Sequence, residues 1–195
     1  MTAPQTRIPV VFLTGKKVIL RPLEKTDAPT IHVWFNDPEI RLFMNNAFPL
    51  TLHEEEEWLS KERRNGQMPN DVVCAIETHD QKFIGTMGLH AINWIDGTAV
   101  TGTCIGEKDY WGKGYGTDAK MVFLDYAFNT LNLRKVNSHI LDFNGRSQQF
   151  NKKCGYIEVG RLKAERLRSG VYCDEVILSV FKEDWKPLWE KYKKV

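Results

Sequence analysis

The sequence predicts an α/β (α+β) protein built on a mixed sheet, and three observations carry that expectation. Strand-like runs at 72–77, 83–89, 90–95 and 99–105 follow one another across short polar turns, which makes them antiparallel neighbours. An amphipathic helical pattern covers 117–131, with apolar residues at Ala119, Val122, Phe123, Tyr126, Ala127 and Leu131. A strand at 135–141, a short helix at 147–153 and a hairpin of 157–168 with 171–181 complete the mixture.

The first strand is read at 17–23 (KVILRPL), where Pro22 and a polar break end it. Thr26 or Asp27 caps a helix through Ile31 and Trp34, and Asn36-Asp37-Pro38 turns or ends it, because a residue before proline avoids the helical region. A second helix is expected from Thr51 to about residue 65, with Thr51 and Glu54 in capping-box spacing. Its acids at 54–57 fall in the first turns, and Lys61, Arg63 and Arg64 fall near its end, as the helix dipole favours. Gly155 stops the helix at 147–153, and Ser169-Gly170 turns the last hairpin. Residues 1–195 read as a single domain with a core of about 16–185 and about seven strands.

Bulk properties narrow the function classes. The 195 residues are 42% hydrophobic, enough for one ordinary core, and the formal charge is only +2. That balance calls for neither a nucleic acid nor an anionic membrane. No apolar run approaches the roughly 20 residues needed to cross a bilayer, and residues 1–11 do not read as a signal peptide. A soluble, cytoplasmic protein is expected. Cys74, Cys104, Cys154 and Cys173 form no CxxC pair and read as reduced structural residues, and no histidine spacing suggests a metal site.

Chemistry is concentrated in the turn Trp111-Gly112-Lys113-Gly114-Tyr115-Gly116-Thr117. A strand, three alternating glycines and a helix form an anion site, because helix-start amides lack partners and the dipole adds positive charge. Glycines let the backbone approach a phosphate, and Lys113 adds a cation. A Walker loop needs Ser or Thr after Gly-Lys, whereas Gly114 follows Lys113. The turn reads GxGxG rather than the dinucleotide GxGxxG, and no matching acid follows it.

With DYWGKGYGTDA (109–119), FNGRSQQFNKKCGY (143–156) and GVYCDEVILSVF (170–181), the chain resembles GNAT-superfamily N-acetyltransferases over about 17–185. LRPLEKTD and WFNDPE add similarity to the branch containing the ribosomal-protein alanine acetyltransferases, which also often carries Trp111 where relatives have Gln or Arg. The resemblance implies splayed central strands forming an acyl-coenzyme A cleft, with acetyl-CoA as co-substrate and no metal. Thr103, Cys104 and Ile105 would pair with the pantetheine arm, and a backbone amide of Cys104 or Ile105 would meet the thioester oxygen. The 112–117 amides would receive the pyrophosphate, with Asn144, Ser147 and Lys153 reaching other polar groups of the cofactor. His32, Trp34, Asn36 and His90 mark the acceptor region, and the C-terminal strands imply a homodimer.

Two family positions depart from the pattern. Asn151 stands where many relatives carry a tyrosine that protonates the departing thiolate, and Val100 stands where many carry an acid. Neither loss is fatal. Releasing a thiolate of pKa about 8.5 near pH 7.5 costs on the order of 1.4 kcal/mol, while proximity supplies about 7–11 kcal/mol. Deprotonating an α-amine at pH 7 costs about 1 kcal/mol, against about 4.6 kcal/mol for a lysine-like amine. The expected reaction is therefore acetylation of a peptide α-amine. The alternatives are a polyamine, amino-sugar or antibiotic acceptor, or a non-catalytic acyl-CoA-binding module. Glu107, His90 and Asp142 are candidate bases, and Tyr172 and Cys154 are candidates for the neighbourhood of the thiol that sequence alone does not place.

Overall fold

Eight strands form one sheet in the order β1-β2-β3-β4-β5-β6-β8-β7. The computed structural model describes residues 10–44, 48–60 and 68–194. The strands are β1 (Leu13–Thr14), β2 (Val18–Pro22), β3 (Val72–Thr78), β4 (Phe83–Asn93), β5 (Thr98–Ile105), β6 (Lys135–Leu141), β7 (Ile157–Arg168) and β8 (Val171–Phe181). Every neighbouring pair is antiparallel except β5 with β6. The runs expected at 83–89 and 90–95 join as β4, where a register shift and a positive φ of 48° at Ala91 bend the strand. Ser169 and Gly170 both have positive φ, the combination that lets a two-residue turn follow the strand twist.

The parallel pair is short. Thr98–Val100 of β5 meets Lys135–Asn137 of β6, and beyond that β5 follows β4 to Ile105 while β6 follows β8 to Leu141. The sheet therefore forks. Thr101 Oγ1 donates to the Asn137 carbonyl at 3.2 Å, a side-chain link just past the last paired residues.

Helices α4 (Tyr115–Asp125), α5 (Gly145–Lys153) and α6 (Lys182–Lys194) lie against the sheet face carrying the main core. That core joins Leu20, Ile84, Met87, Val136 and Leu178 to Val122 and Phe123 of α4 and Trp185 of α6. Strand alternation turns Phe83 and Gly106 the other way, where Trp34 of α1 (Ala28–Asn36) covers them. Helix α2 (Pro38–Arg41) follows, started by Asp37, whose side chain accepts from Glu39 N and Ile40 N. Helix α3 is Leu52–Ser60, and Thr51 and Glu54 exchange the capping-box bonds at 2.7 and 3.2 Å. The expected extension of α3 to residue 65, with Lys61, Arg63 and Arg64, lies outside the described residues.

Three local devices set the helices beside the fork. Arg21 is buried and bridges Asp27 through two bonds of 2.7 and 2.8 Å and Glu77 through one of 2.5 Å. It thereby ties β2 and β3 to the start of α1, where Asp27 also accepts from Glu24 N. After α5, Gly155 at φ 91° closes a paired cap: its amide reaches Lys152 O, and Tyr156 N reaches Asn151 O. This sends the Tyr156 ring into the core. Helix α6, absent from the sequence reading, stacks Trp185 on Trp189 and Trp189 on Tyr192.

Replacing Arg21 with Met strips two buried carboxylates of their shared cation. We expect a loss of about 3–5 kcal/mol of stability, read as a lower thermal midpoint by circular dichroism.

Candidate active site

The glycine turn sits at the mouth of the fork. Gly112 and Gly114 have φ of 72° and 87°, which side-chain-bearing residues rarely adopt, and Gly114 is the N-cap of α4. A Cβ added at Gly112 would meet nothing within 4 Å, so this part of the turn is open to a bulky anion. Trp111 Nε1 donates to Ile105 O at 2.6 Å, fastening the turn to the end of β5, and the Arg146 guanidinium lies 3.8 Å over the Trp111 ring. Asp118 anchors the turn from behind. Its carboxylate accepts from the amides of Lys16, Lys17 and Val18 at 3.1, 2.8 and 3.1 Å, and from Tyr192 Oη at 2.6 Å.

A cleft of about 1020 Å³ runs from this turn into the fork. Thr103, Cys104 and Ile105 line it, as do Trp111, Gly112, Gly114, Gly116 and Thr117, and Asn144, Ser147 and Lys153 on the opposite wall. Thr103 Oγ1 is buried there without a hydrogen-bond partner among the described residues. An orphaned hydroxyl on a strand edge that has lost its neighbour suits a polar, extended ligand. Asn144 uses its side-chain oxygen to cap α5, accepting from Ser147 N at 3.1 Å.

Lys113 does not line the cleft as expected. Its carbonyl accepts from Lys17 Nζ at 2.9 Å, and that ammonium lies 3.7 Å from where a Gly114 Cβ would stand. Lys17 therefore brings a cation to the glycine turn that motif reading missed, because it comes from the distant turn between β1 and β2. Tyr115 also lies outside the lining, edge-on to Tyr110 at 4.9 Å between ring centres.

At the base of the fork, Lys120 of α4 is 1% exposed and lines the cleft with Thr101 and Asn151. Its Nζ donates to Thr101 Oγ1 at 3.0 Å and to Asn151 Oδ1 at 3.1 Å. Desolvation lowers its pKa to about 8. Its sequence signal was a charge in line with Phe123 and Ala127, on the buried side of the helix. Arg146, inside FNGRSQQ, was passed over as well.

On the other wall, His90 Nδ1 lies 3.2 Å from Asp71 Oδ1, and His139 Nδ1 lies 3.1 Å from Glu175 Oε2. Burial pulls the Glu175 carboxyl upward, but bonds from His139 and Arg166 outweigh it and hold it below its ordinary range. Phe35 and Trp58 add aromatic surface. Five other acceptor-side and base candidates lie outside the cleft lining. Trp34 is 5% exposed and packed on Gly106; His32 is bonded by Asn36; and Asn36 is spent on both backbone groups of Leu50. Glu107 is held by Lys82 Nζ at 3.0 Å and by Trp34 Nε1 at 3.3 Å. Asp142 also lies outside it, Tyr172 is exposed on the last hairpin, and Cys154 is buried under α5 with its thiol pushed up to about 12 by desolvation.

The acetyltransferase (GNAT) domain model matches residues 17–157. The chain belongs to this family. GNAT N-acetyltransferases use acetyl-CoA, and the open glycine turn and orphaned Thr103 hydroxyl fit that co-substrate. The chain is similar to the N-acetyltransferase p20 of Bacillus licheniformis, 27% identical over 89% of this chain and 97% of that one. It is also similar to spermidine N(1)-acetyltransferase of Vibrio cholerae, 29% identical over 82% of this chain and 90% of that one. The Vibrio cholerae spermidine N-acetyltransferase solved with CoA and spermine superimposes with a TM-score of 0.80 at 26% identity, covering 87% of this chain and 98% of that one. Another structure of that enzyme is dodecameric.

Gly112→Val would place a side chain in the open face of the turn and force a backbone conformation that valine resists. We expect CoA affinity to fall about tenfold or more by calorimetry; unchanged affinity would remove the turn from the cofactor site.

Proposed function

We propose that this N-acetyltransferase acts on a small primary amine of the polyamine class rather than on a protein N-terminus. The observation that carries this reading is the spermidine enzymes' likeness across nearly the whole chain, in sequence and in fold. It moves the reading away from the ribosomal alanine branch. The aromatic surface of Phe35 and Trp58 beside two histidines suits an alkyl amine that must shed its charge before attack.

In this reading the 112–117 amides, with Lys17 near them, take the pyrophosphate. Arg146, Ser147 and Lys153 serve the other polar groups. The free edge of Thr103–Ile105 pairs with the pantetheine arm, and a β5 amide meets the oxyanion. The amine nitrogen attacks the thioester carbonyl, the carbon–sulfur bond breaks, and the amide and free thiol result. Self-association through the C-terminal strands belongs to the same proposal, supported by the dodecamer of the Vibrio cholerae enzyme.

One observation favours a peptide α-amine instead. Glu175 is the sole carboxylate among the described residues lining the cleft, and it is already engaged by His139 and Arg166. A polyamine would find few free acids there, and an α-amine is easier to deprotonate by about 3.6 kcal/mol. Thiol release should be measured with spermidine, spermine, N-terminal peptides and amino-sugars. We expect the highest kcat/KM for a polyamine; a peptide preference of about tenfold would reverse the assignment.

A further inference from the structure

Lys120 presents a buried cation where ordinary core economy calls for an apolar side chain. Among the described residues no carboxylate pairs with it; its recorded contacts are Thr101 Oγ1, Asn151 Oδ1 and the faces of Phe150 and Tyr156, at 4.8 and 5.2 Å from the ring centres. An ammonium carries three N–H groups, and the two oxygens take two of them. It stands one helical turn beyond Gly116, at the point where β5 and β6 separate, and it lines the cleft. Asn151, its partner, occupies the α5 position from which it has no proton to give.

We infer that the Lys120 ammonium is the proton donor to the sulfur of departing coenzyme A. The inference rests on acetyl transfer from acetyl-CoA and not on which amine accepts the group. As the carbon–sulfur bond breaks, the electron pair goes to sulfur and one Lys120 N–H delivers its proton there. The neutral lysine regains a proton from water, which balances the proton lost by the attacking amine. Asn151 and Thr101 hold the ammonium in place, and the two aromatic faces offset part of its desolvation.

The groups facing Lys120 do not compete for this role. Tyr156 and Cys154, from the far end of α5 and its cap, are both pushed upward by desolvation and stay neutral at working pH. The hydroxyl of Thr101 and the amide of Asn151, the two hydrogen-bond partners of Lys120, do not titrate there. A lysine lowered to about 8 lies close to the free thiol at about 8.5, a match that suits proton transfer in either direction. The sign follows directly. The donor works while protonated, so kcat falls as pH rises past about 8.

The test compares wild type with Lys120→Met, and with Lys120→Gln should the first not fold, using whichever amine of the panel is turned over. We expect kcat to fall about tenfold or more with little change in KM for acetyl-CoA, and the alkaline limb to disappear. A second readout needs no turnover: the thiol of bound CoA, followed by thiolate absorbance, should titrate about one pKa unit or more lower in wild type than in the variant. A kcat within about twofold of wild type with the same alkaline limb would overturn the inference, as would identical thiol titrations. A failed polyamine preference leaves both readouts standing, so the two claims fail separately.

Discussion

The short parallel pairing between Thr98–Val100 and Lys135–Asn137 is the constraint on which the rest of this structure depends. Were it longer, the sheet would close and no cleft would exist. Were it absent, nothing would hold the two halves of the sheet together. Each strand leaving the fork remains secured on its outer side, β5 by β4 and β6 by β8, so the edges that the two strands no longer share face the cleft. The site is therefore a designed gap in a hydrogen-bond ladder.

Around this gap the polar groups divide by face. The α4 and α5 side carries the open glycine turn, Arg146 and the buried lysine, a setting for a polyanionic thioester. The opposite side carries two histidines, each beside a carboxylate, and aromatic surface. The sheet separates the two chemistries, and the fork is where they meet.

Much of this was legible in the residues, and the failures have physical causes. The capping box at Thr51, the Ser169-Gly170 hairpin and the helix start at the glycine turn are local, and local chemistry is written in adjacent letters. Lys17 and Asp118 act across about a hundred residues, a relation no window of sequence displays. Trp34, His32 and Asn36 lie in the expected region, yet packing and backbone bonds consume them. Helix α6 was missed because its apolar surface is three stacked aromatics among lysines and glutamates, with Pro187 inside it. Lys120 was missed because a lysine among the apolar positions of an amphipathic helix belongs to no motif, and its burial depends on the strands that pack against it.

The anchoring of Asp118 also has a consequence in time. Its partners lie 102, 101 and 100 residues earlier, at 16–18, and 74 residues later, at Tyr192. Contacts of such separation carry a large loop-closure cost and form only once most of the chain has collapsed. During synthesis the helix behind the glycine turn can form early and its carboxylate can meet the amides of 16–18, but the bond from Tyr192 waits for residue 192 to emerge. The Tyr192 bond behind the glycine turn is thus the last of the four Asp118 contacts that the growing chain can make. A nascent or partly unfolded chain would carry the glycine motif without its support.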